Sequence, residues 1–314
     1  MSVGLDEIWL MNKCNYMVNS LSDNTPLVSV PVITYNSSKT IVETLDSIYN
    51  QIYPNIELIV SDDASTDDTV EVVRDWVNVH KERFVRTEII TVGQNTGTTE
   101  NYERASKACK GEWVKDFDGD DILLPEASQT YVDYIKEHPN STYVFAKVAC
   151  FGGNEKRRKF MTDFFNYDFF SWSNEEQYDY LTLERNCIPS PTNFYNRKNI
   201  EQLGIKYDKR IPLIEDWPRW INVVKSGVRI QFIDKVLALY RMSDNSLSTR
   251  EVQTDVYNKS YALVYKYYGF LNDYKKNNKK EVLYKYLRNE KLLHDNVLFW
   301  AVLCKLYKLL ILRR

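Results

Sequence analysis

The sequence predicts an α/β fold with a mainly parallel sheet and flanking helices, followed by a C-terminal helical segment. Two observations predict it. Short apolar runs rich in β-branched residues alternate with segments of helical period, at the pace of βαβ units. The 314 residues are also 44% hydrophobic and 27% charged, which is ordinary for a globular chain and excludes disordered, collagen-like and coiled-coil classes.

The first half of the chain carries the clearest alternation. Strands are expected at residues 27–33, 56–60, 84–92 and 112–117, with helices at residues 40–50, 69–79 and 98–110 between them. In the first of these helices, Ile41, Leu45 and Ile48 have the spacing of one helical face. Because ligands bind beyond the carboxyl ends of parallel strands, we expect the polar loops after these strands to form a site.

The pattern is weaker after residue 139. It predicts a strand at residues 143–150, a basic turn at 154–159, aromatic-rich loop and helix at 160–180, and a strand-like segment at 186–195. A helix at 217–224 and a long strand or strand pair at 228–240 follow, and the chain beyond residue 251 is expected to be helical.

Charge is distributed unevenly along the chain. The formal net charge is -2, which does not indicate a nucleic-acid-binding surface. From residue 273 onward, however, 11 Lys or Arg stand against 4 Asp or Glu, so this segment carries +7 and the rest of the chain -9. The C-terminal segment is therefore chemically different from the body.

Cysteine and histidine usage limits the kinds of metal site. Five widely spaced cysteines without a CxxC pair predict reduced thiols rather than a disulfide framework or a zinc site. The three histidines are far apart in sequence, so carboxylates would have to hold any metal, which favours Mg²⁺ or Mn²⁺.

Two features predict a cytoplasmic protein. Asp6 and Glu7 stand where a secretory signal would need basic residues. The unbroken apolar run at residues 297–304 is far shorter than the ~20 residues that span a bilayer.

Acidic residues cluster after two of the expected strands. Asp118, Asp120 and Asp121 share one tight turn, where their mutual repulsion favours a divalent cation; a solvated acidic turn is the alternative. Asp62 and Asp63 follow the second strand, where they either cap the next helix or accept hydrogen bonds from a pyrimidine base. The ring of Tyr35 offers a stacking face for such a base.

Over residues 26–130 the chain resembles the family-2 glycosyltransferases of GT-A fold. The motifs that carry the resemblance are Thr34-Tyr35-Asn36, Asp62-Asp63, Asn95-Thr96-Gly97, Lys110-Gly111-Glu112-Trp113-Val114 and Asp118-Gly119-Asp120-Asp121. Two other nucleotide sites are disfavoured, because the chain has neither GxGxxG after the first strand nor a P-loop motif.

The resemblance implies an inverting transfer from a nucleotide-diphosphate sugar, with a UDP-sugar as the first expectation and Mn²⁺ or Mg²⁺ as cofactor. It implies that the nucleotide sugar is bound by Thr34, Tyr35, Asn36, Asp63, Asn95, Gly97, Asp118 and Arg241. It places the metal at Asp118 and Asp120, with Asp121 as an additional or orienting ligand. It makes Asp216 the catalytic base and Glu215 the second choice, although acids at a helix N-terminus are the structural alternative.

Two departures from the family pattern stand out. In the segment that starts at Tyr240 and Arg241, Ser243 occupies a position where the family commonly has histidine, which leaves more of the anion binding to Arg241 or reduces Arg241 to a salt bridge. In the helix after Gly97 an arginine is frequent, and Arg104 one turn further on is its candidate substitute.

The acceptor side of the site is predicted from aromatic residues. Trp172, Trp217 and Trp220 could form a platform for a sugar, with Thr192 in a neighbouring loop, and core packing is the alternative for each of them. The acceptor implied by the resemblance is a saccharide or a polyprenyl-linked sugar.

The C-terminal segment has basic and apolar residues on opposite sides of the helix expected at residues 297–314. This pattern predicts peripheral contact with the inner face of the cell membrane. Packing on the catalytic domain, or on a second subunit in a homodimer, is the alternative.

The resulting organisation has an N-terminal extension at 1–25, a GT-A domain at 26–250 and a basic amphipathic helical segment at 251–314. Within the GT-A domain, residues 26–130 would bind the nucleotide sugar and residues 131–250 the acceptor. The expected function is sugar transfer in cell-surface polysaccharide or glycolipid biosynthesis. A nucleotidyltransferase, which the glycine-free loop after the first strand disfavours, and a non-catalytic sugar-nucleotide-binding protein are the alternatives.

Overall fold

A computed structural model describes residues 25–211, 213–242, 255–293 and 297–309 of the chain. Within them, nine strands form one mixed sheet in the order β3-β2-β1-β4-β8-β7-β9-β6, with β5 also paired to β1. The strands are β1 Val28–Thr34, β2 Ile56–Asp62, β3 Arg86–Thr91, β4 Trp113–Val114, β5 Phe117–Asp118, β6 Ile122–Leu123, β7 Tyr143–Gly152, β8 Phe194–Asn196 and β9 Gln231–Met242.

Helices flank this sheet and continue beyond it. They are α1 Ile41–Tyr49, α2 Thr69–His80, α3 Thr98–Ala108, α4 Ala127–Glu137, α5 Glu155–Phe164, α6 Asn174–Leu183, α7 Arg197–Gln202, α8 Asp216–Lys225, α9 Asp255–Val264, α10 Phe270–Lys276, α11 Lys279–Leu293 and α12 Val297–Tyr307. A short π-helical turn, Tyr265–Gly269, joins α9 to α10. The α/β class and the C-terminal helices are therefore confirmed.

The parallel half of the sheet sets up the site. Strands β2, β4 and β5 all pair in parallel with β1, and β3 pairs in parallel with β2. All seven residues of β1 and of β2 are buried, as is usual for strands with helices on both faces. The register places Thr34 beside Asp62 and Ile33 beside Asp118, so the polar loops after β1, β2 and β5 lie at one edge as predicted.

The second half of the sheet is mixed. Strand β8 runs antiparallel to β4 and β7, β9 runs parallel to β7, and β6 runs antiparallel to β9. The segment predicted as strand-like at 186–195 contains a 3-10 turn at Ser190–Thr192, because Pro189 and Pro191 cannot donate to a ladder. Only its end joins β8.

Three further expectations need correction. The basic turn predicted at 154–159 is the start of α5, which the Asn154 side chain caps by accepting from Arg157 N at 3.0 Å. The strand predicted at 112–117 is two short pieces, β4 and β5, which both pair with β1. The strand predicted at 84–92 is shortened to β3, since Lys81–Arg83 forms a 3-10 turn.

Parts of the predicted chain lie outside the described residues. They include the N-terminal extension up to residue 24, the segment from Ser243 to residue 254, and the last five residues. Among the described helices, none combines the length and the hydropathy needed to cross a bilayer.

Candidate active site

A cleft of about 1460 Å³ lies at the carboxyl edge of the parallel strands. Most of the residues predicted to form the site line it, namely Thr34, Tyr35, Asn36, Asp63, Asn95, Gly97, Asp118, Asp120, Glu215, Asp216, Trp217 and Arg241. The loops after β1, β2, β3 and β5 supply one side, and the N-terminus of α8 supplies the other.

The loop after β1 presents an aromatic ring to the cleft. The side chain of Tyr35 is 49% exposed, which leaves its ring available for stacking. Asn36 follows in a left-handed conformation with φ of 53°, and its Oδ1 accepts from Thr66 N at 2.8 Å. Thr34 donates its hydroxyl to Asp62 Oδ2 at 2.9 Å, so the loop is tied to the end of β2.

Asp63 supports the neighbouring loop. Its Oδ2 accepts from the amides of Thr96 at 2.8 Å and Gly97 at 2.7 Å. Its Oδ1 accepts from the Thr96 hydroxyl at 2.5 Å and from Arg104 Nη2 at 2.8 Å. These bonds outweigh burial and lower the pKa of Asp63. Because two oxygens of a carboxylate accept about four hydrogen bonds, a base amide would have to replace one of these donors.

Arg104, the candidate substitute for the family's arginine, does not line the cleft but contacts Asp63, which does. Besides its ion pair with Asp63, its Nη2 donates to Asn101 Oδ1 at 2.9 Å and its Nε to Ser61 Oγ at 3.1 Å. The arginine therefore braces the end of β2 against α3, and it reaches the cleft through Asp63.

The acidic turn depends on a glycine. A Cβ on Gly119 would lie 2.9 Å from Thr34 Cγ2 and 3.0 Å from Ile33 O, which is closer than real side-chain contacts. Gly119 N donates to Ile33 O at 3.0 Å, so the turn packs directly on the end of β1. Asp118 and Asp120 on either side of the glycine both border the cleft.

Two side chains hold the acidic turn. The Tyr102 hydroxyl donates to Asp118 Oδ1 at 2.7 Å. Arg241 Nε donates to the carbonyl of Asp120 at 2.6 Å, while the same guanidinium pairs with Glu43 and lies 4.4 Å from the Phe151 ring centroid. Arg241 thus combines a position in the cleft wall with the salt-bridge role that was its alternative.

The third carboxylate lies behind the cleft. Asp121 is fully buried, its Oδ1 accepts from Arg241 N at 2.9 Å, and its Oδ2 has no hydrogen-bond partner in the described part of the chain. It does not line the cleft, and its role as an additional metal ligand stays a prediction. Of its two expected roles, this position suits the orienting one.

The three carboxyl groups strain one another electrostatically. Burial, together with the charge of Asp118, raises the pKa of Asp120 to about 7, and the pKa values of Asp118 and Asp121 are also raised, with burial as the main cause. Within the described ranges no three His, Cys, Asp or Glu side chains form a complete ligand set. Two carboxylates plus substrate phosphates are nevertheless the usual Mg²⁺ arrangement, which Asp118 and Asp120 fit.

A second carboxyl pair faces the acidic turn across the cleft. Asp216 begins α8, and Glu215 occupies the N-cap position without a capping hydrogen bond from its side chain. Asp216 Oδ1 accepts from Trp217 N at 2.6 Å and Oδ2 from Asn186 Nδ2 at 3.3 Å. Burial raises the pKa of Asp216 to about 6, whereas burial and the charge of Asp216 raise the pKa of Glu215 much further. Both carboxyl groups therefore keep their protons to higher pH than an exposed carboxyl group would, and this effect is larger for Glu215.

Polar residues beneath the acidic turn were missed by sequence reasoning. Asp116 accepts from Arg219 Nη1 at 2.9 Å and from the Tyr207 hydroxyl at 3.0 Å. Lys115, 1% exposed, donates to the carbonyls of Asp116 at 2.8 Å and Pro191 at 2.7 Å. Burial lowers the pKa of Lys115 to about 7. A charged pair inside a strand-like segment was the available signal.

The predicted aromatic platform is corrected. Trp220 and Thr192 are buried and do not border the cleft, because Trp220 packs edge-on against Phe145 and the Thr192 hydroxyl donates to Ala146 O. Trp172 also lies away from it and packs against Phe169. Trp217 does border the cleft, with its Nε1 donating to Leu181 O at 2.8 Å. Aromatic frequency alone did not separate core from site.

Known proteins with similar sequences include bacterial glycosyltransferases. The chain is 26% identical over 236 residues to the UDP-Glc:alpha-D-GlcNAc-diphosphoundecaprenol beta-1,3-glucosyltransferase WfaP of Escherichia coli, a match that covers 72% of this chain and 81% of that protein. It is 24% identical over 226 residues to the putative teichuronic acid biosynthesis glycosyltransferase TuaG of Bacillus subtilis, covering 72% and 83%.

Solved structures share the fold. S. aureus TarS in complex with UDP-GlcNAc superposes with a TM-score of 0.61 at 21% identity, covering 84% of this chain and 72% of that one. Mannosyltransferase PcManGT from Pyrobaculum calidifontis, in complex with GDP-Man and Mn2+, superposes with a TM-score of 0.55 at 19% identity, covering 96% and 80%.

The sequence profile of the family described as glycosyl transferase family 2 matches residues 29–204, which is more than half of the chain. The matched segment contains the loops after β1, β2 and β3 and the acidic turn. The expectation drawn from the motifs is confirmed, and the chain belongs to glycosyl transferase family 2.

Proposed function

We propose that this glycosyltransferase moves a sugar from a UDP-sugar to a saccharide or polyprenyl-linked acceptor, with inversion at the anomeric carbon and with Asp216 as the catalytic base. The observation that carries the proposal is the placement of two acidic pairs in one cleft. Asp118 and Asp120 border it after β5, and Glu215 and Asp216 border it at the start of α8. The relative WfaP, named for a UDP-Glc donor and a diphosphoundecaprenol-linked acceptor, supports this choice of substrates.

In the proposed reaction, the Asp216 carboxylate accepts the proton of the acceptor hydroxyl as its oxygen attacks the anomeric carbon. The bond from that carbon to the donor diphosphate breaks on the opposite face, and the nucleoside diphosphate leaves with the electron pair. The hydrogen bonds from Asn186 and the Trp217 amide orient the carboxylate. Glu215, whose pKa burial raises further, is the second choice for this role.

We also propose that Asp118 and Asp120 hold Mn²⁺ or Mg²⁺ together with the donor diphosphate. When bound, such a cation would neutralise the diphosphate charge. The place of both carboxylates in the wall of one cleft supports this assignment, because Mg²⁺ and Mn²⁺ prefer oxygen ligands. The base of the donor would lie near Tyr35.

The donor assignment is tested by thermal unfolding of the full chain with UDP-, GDP- and dTDP-sugars, each with and without Mn²⁺. A ligand that binds the folded state raises Tm by mass action. We expect the largest rise with a UDP-sugar and Mn²⁺ together. No rise with any of the three bases would contradict the donor assignment.

The assignment of Asp216 as the catalytic base is tested by Asp216→Asn. Asp168→Asn is the matched control, at an exposed carboxylate outside the cleft. We expect Asp216→Asn to lose about 10²–10⁴-fold in kcat while keeping donor affinity, and Asp168→Asn to keep both. Full activity in Asp216→Asn would show that Asp216 is not the catalytic base.

Peripheral membrane contact is proposed for the C-terminal helix. Phe299, Val302, Leu306 and Leu309 are each more than 40% exposed and recur every three or four residues, which makes an apolar stripe on α12 and just beyond it. Val302→Asp with Leu306→Asp should abolish co-sedimentation with phosphatidylglycerol vesicles. Val79→Asp, at a 75% exposed position on α2, should not. Unchanged sedimentation of the double variant would refute the contact.

A further inference from the structure

A second cavity, of about 620 Å³, lies between the end of α6 and the C-terminal helices α9, α11 and α12. Its volume is in the range of small-molecule sites. Its floor is apolar and buried, since Leu181, Val264 and Cys304 are each less than 10% exposed. None of the motifs that indicated a nucleotide-sugar site contributes to it.

The rim of this cavity is cationic. Arg288, Lys291, Lys305 and Lys308 all line it, and none of the four pairs with a carboxylate in the described part of the chain. A fifth lining cation, Lys285, is already paired with Asp273 at 3.0 Å. Glu184 is the one carboxylate among the described lining residues. An apolar floor under an excess of positive charge is complementary to an amphiphile with an anionic head.

The cavity adjoins the catalytic cleft. Trp217, Tyr261, Asn289 and Leu292 line both. Trp217 directly follows Asp216 in the chain and packs 4.7 Å, centroid to centroid, from Tyr261. A molecule in the second cavity is therefore separated from the proposed base by one aromatic wall.

We propose that this cavity binds the isoprenoid-diphosphate part of the acceptor, with the diphosphate at the Arg288 and Lys305 rim and the first isoprene units on the apolar floor. The sugar attached to the diphosphate then passes Trp217 and reaches Asp216. This inference rests on the proposed function, because it assumes a lipid-linked acceptor. It assigns the C-terminal helices to acceptor binding in addition to any contact with the bilayer.

Binding is tested directly on the full chain by titration calorimetry with farnesyl diphosphate, inorganic pyrophosphate and farnesol. The cavity variant is Arg288→Ala with Lys305→Ala. The control is Lys275→Ala with Lys280→Ala, which removes equal charge from exposed positions outside both cavities. We expect farnesyl diphosphate to bind most tightly, to lose at least tenfold in affinity in the cavity variant, and to change less than twofold in the control.

A second variant tests the floor without changing charge. Ala301→Phe should fill the cavity and weaken farnesyl diphosphate binding by a similar factor, with UDP affinity and Tm checked for both cavity variants. Equal loss in the control pair, pyrophosphate binding as tight as farnesyl diphosphate, or displacement of farnesyl diphosphate by phosphatidylglycerol vesicles would each overturn the assignment. The last outcome would indicate a phospholipid site.

Transfer to a panel of octyl glycosides separates this inference from the proposed function, because these acceptors have no diphosphate. Retained transfer in the cavity variant, with farnesyl diphosphate binding lost, supports both. Retained transfer with farnesyl diphosphate binding unaffected overturns only the cavity assignment. Farnesyl diphosphate binding at the cavity without transfer from any sugar nucleotide overturns only the proposed function.

Discussion

The phenol of Tyr102 on α3 donates a 2.7 Å hydrogen bond to Oδ1 of Asp118, the first carboxylate of the acidic turn. Tyr102 is buried and stacks on Tyr207 at 5.9 Å between centroids. Through this contact the helix that follows Gly97 sets the orientation of a carboxylate in the cleft.

Tyr102→Phe removes this hydrogen bond and keeps the ring. Loss of a residue that orients a ligand carboxylate typically costs about 10–100-fold in metal affinity or activity. We expect the apparent Mn²⁺ affinity and kcat/KM to fall within that range, while Tm changes little. Tyr267→Phe, at a tyrosine 42% exposed and outside the cleft, is the matched control. Equal kinetics for the two variants would show that Asp118 does not need Tyr102.

The raised pKa of Asp216, about 6, predicts the acidic limb of the pH profile. A base must be deprotonated to act, so kcat/KM should fall as pH decreases through about 6 and level off above it. Asn186→Ala removes a hydrogen bond that favours the charged carboxylate, so its limb should shift to higher pH. The pH dependence of kcat/KM at saturating Mn²⁺ measures the acidic limb of the unmodified chain and of Asn186→Ala. An acidic limb near pH 4 in the unmodified chain would contradict the buried environment of Asp216.

Variants of Asp63 and Arg104 test whether Asp63 supports the loop after β3 or contacts the nucleobase of the donor. Removing one partner of a buried ion pair costs about 3–5 kcal/mol, and Asp63→Ala also leaves the Thr96 and Gly97 amides without their acceptor. We expect Asp63→Ala to lower the free energy of unfolding in urea by about 3 kcal/mol and to raise the donor KM. Arg104→Ala should cost less, since its side chain is 20% exposed.

One outcome would contradict the loop-supporting role of Asp63. If Asp63→Ala abolishes donor binding while the urea midpoint stays that of the unmodified chain, then Asp63 contacts the nucleotide directly. The loop at Asn95 and Gly97 would then be held by other bonds.

The parallel half of the fold was predictable because its strands are buried on both faces, which leaves continuous apolar runs in the sequence. The acidic turn was predictable as well, because its three aspartates and its glycine are adjacent in the sequence. Partners such as Asn186 and Tyr102 could not be found, because only tertiary packing brings them to Asp216 and Asp118. The first turns of helix α5 have the charged sequence of a basic turn, and this pattern hides the capping signal of Asn154.

The tryptophan platform failed for a different physical reason. An indole can bury a large apolar surface in the core or offer it to a sugar, and the sequence is the same in both cases. The burial of Trp220 depends on the packing of α8 against Phe145 on β7, a contact between segments some 75 residues apart in the printed sequence.

Glu57 is a fully buried carboxylate near the start of β2, and it joins β1 to the loop before β4. It accepts from Ser29 Oγ at 2.5 Å, from the amides of Lys110 and Gly111 at 2.5 and 2.9 Å, and from Arg86 at 2.9 Å. Burial alone would raise the pKa of Glu57, but these hydrogen bonds together lower that pKa below its ordinary value of 4.5. The carboxylate therefore stabilises the fold when ionised.

Glu57→Gln keeps the shape of this side chain and replaces one acceptor oxygen with a donor that faces other donors. We expect the free energy of unfolding to fall by about 3–5 kcal/mol at pH 7. Because the folded-state pKa is the lower one, Glu57 contributes fully above the unfolded pKa near 4.5, and its contribution is lost as pH falls through the folded value. The deficit of Glu57→Gln in urea unfolding should thus be constant from pH 7 to 5.5 and shrink below 4.5. Glu71→Gln, on the solvent side of α2, is the control and should show neither effect. If the deficit of Glu57→Gln stayed constant down to pH 3, steric mismatch and not the lost charge would be the cause of its lower stability.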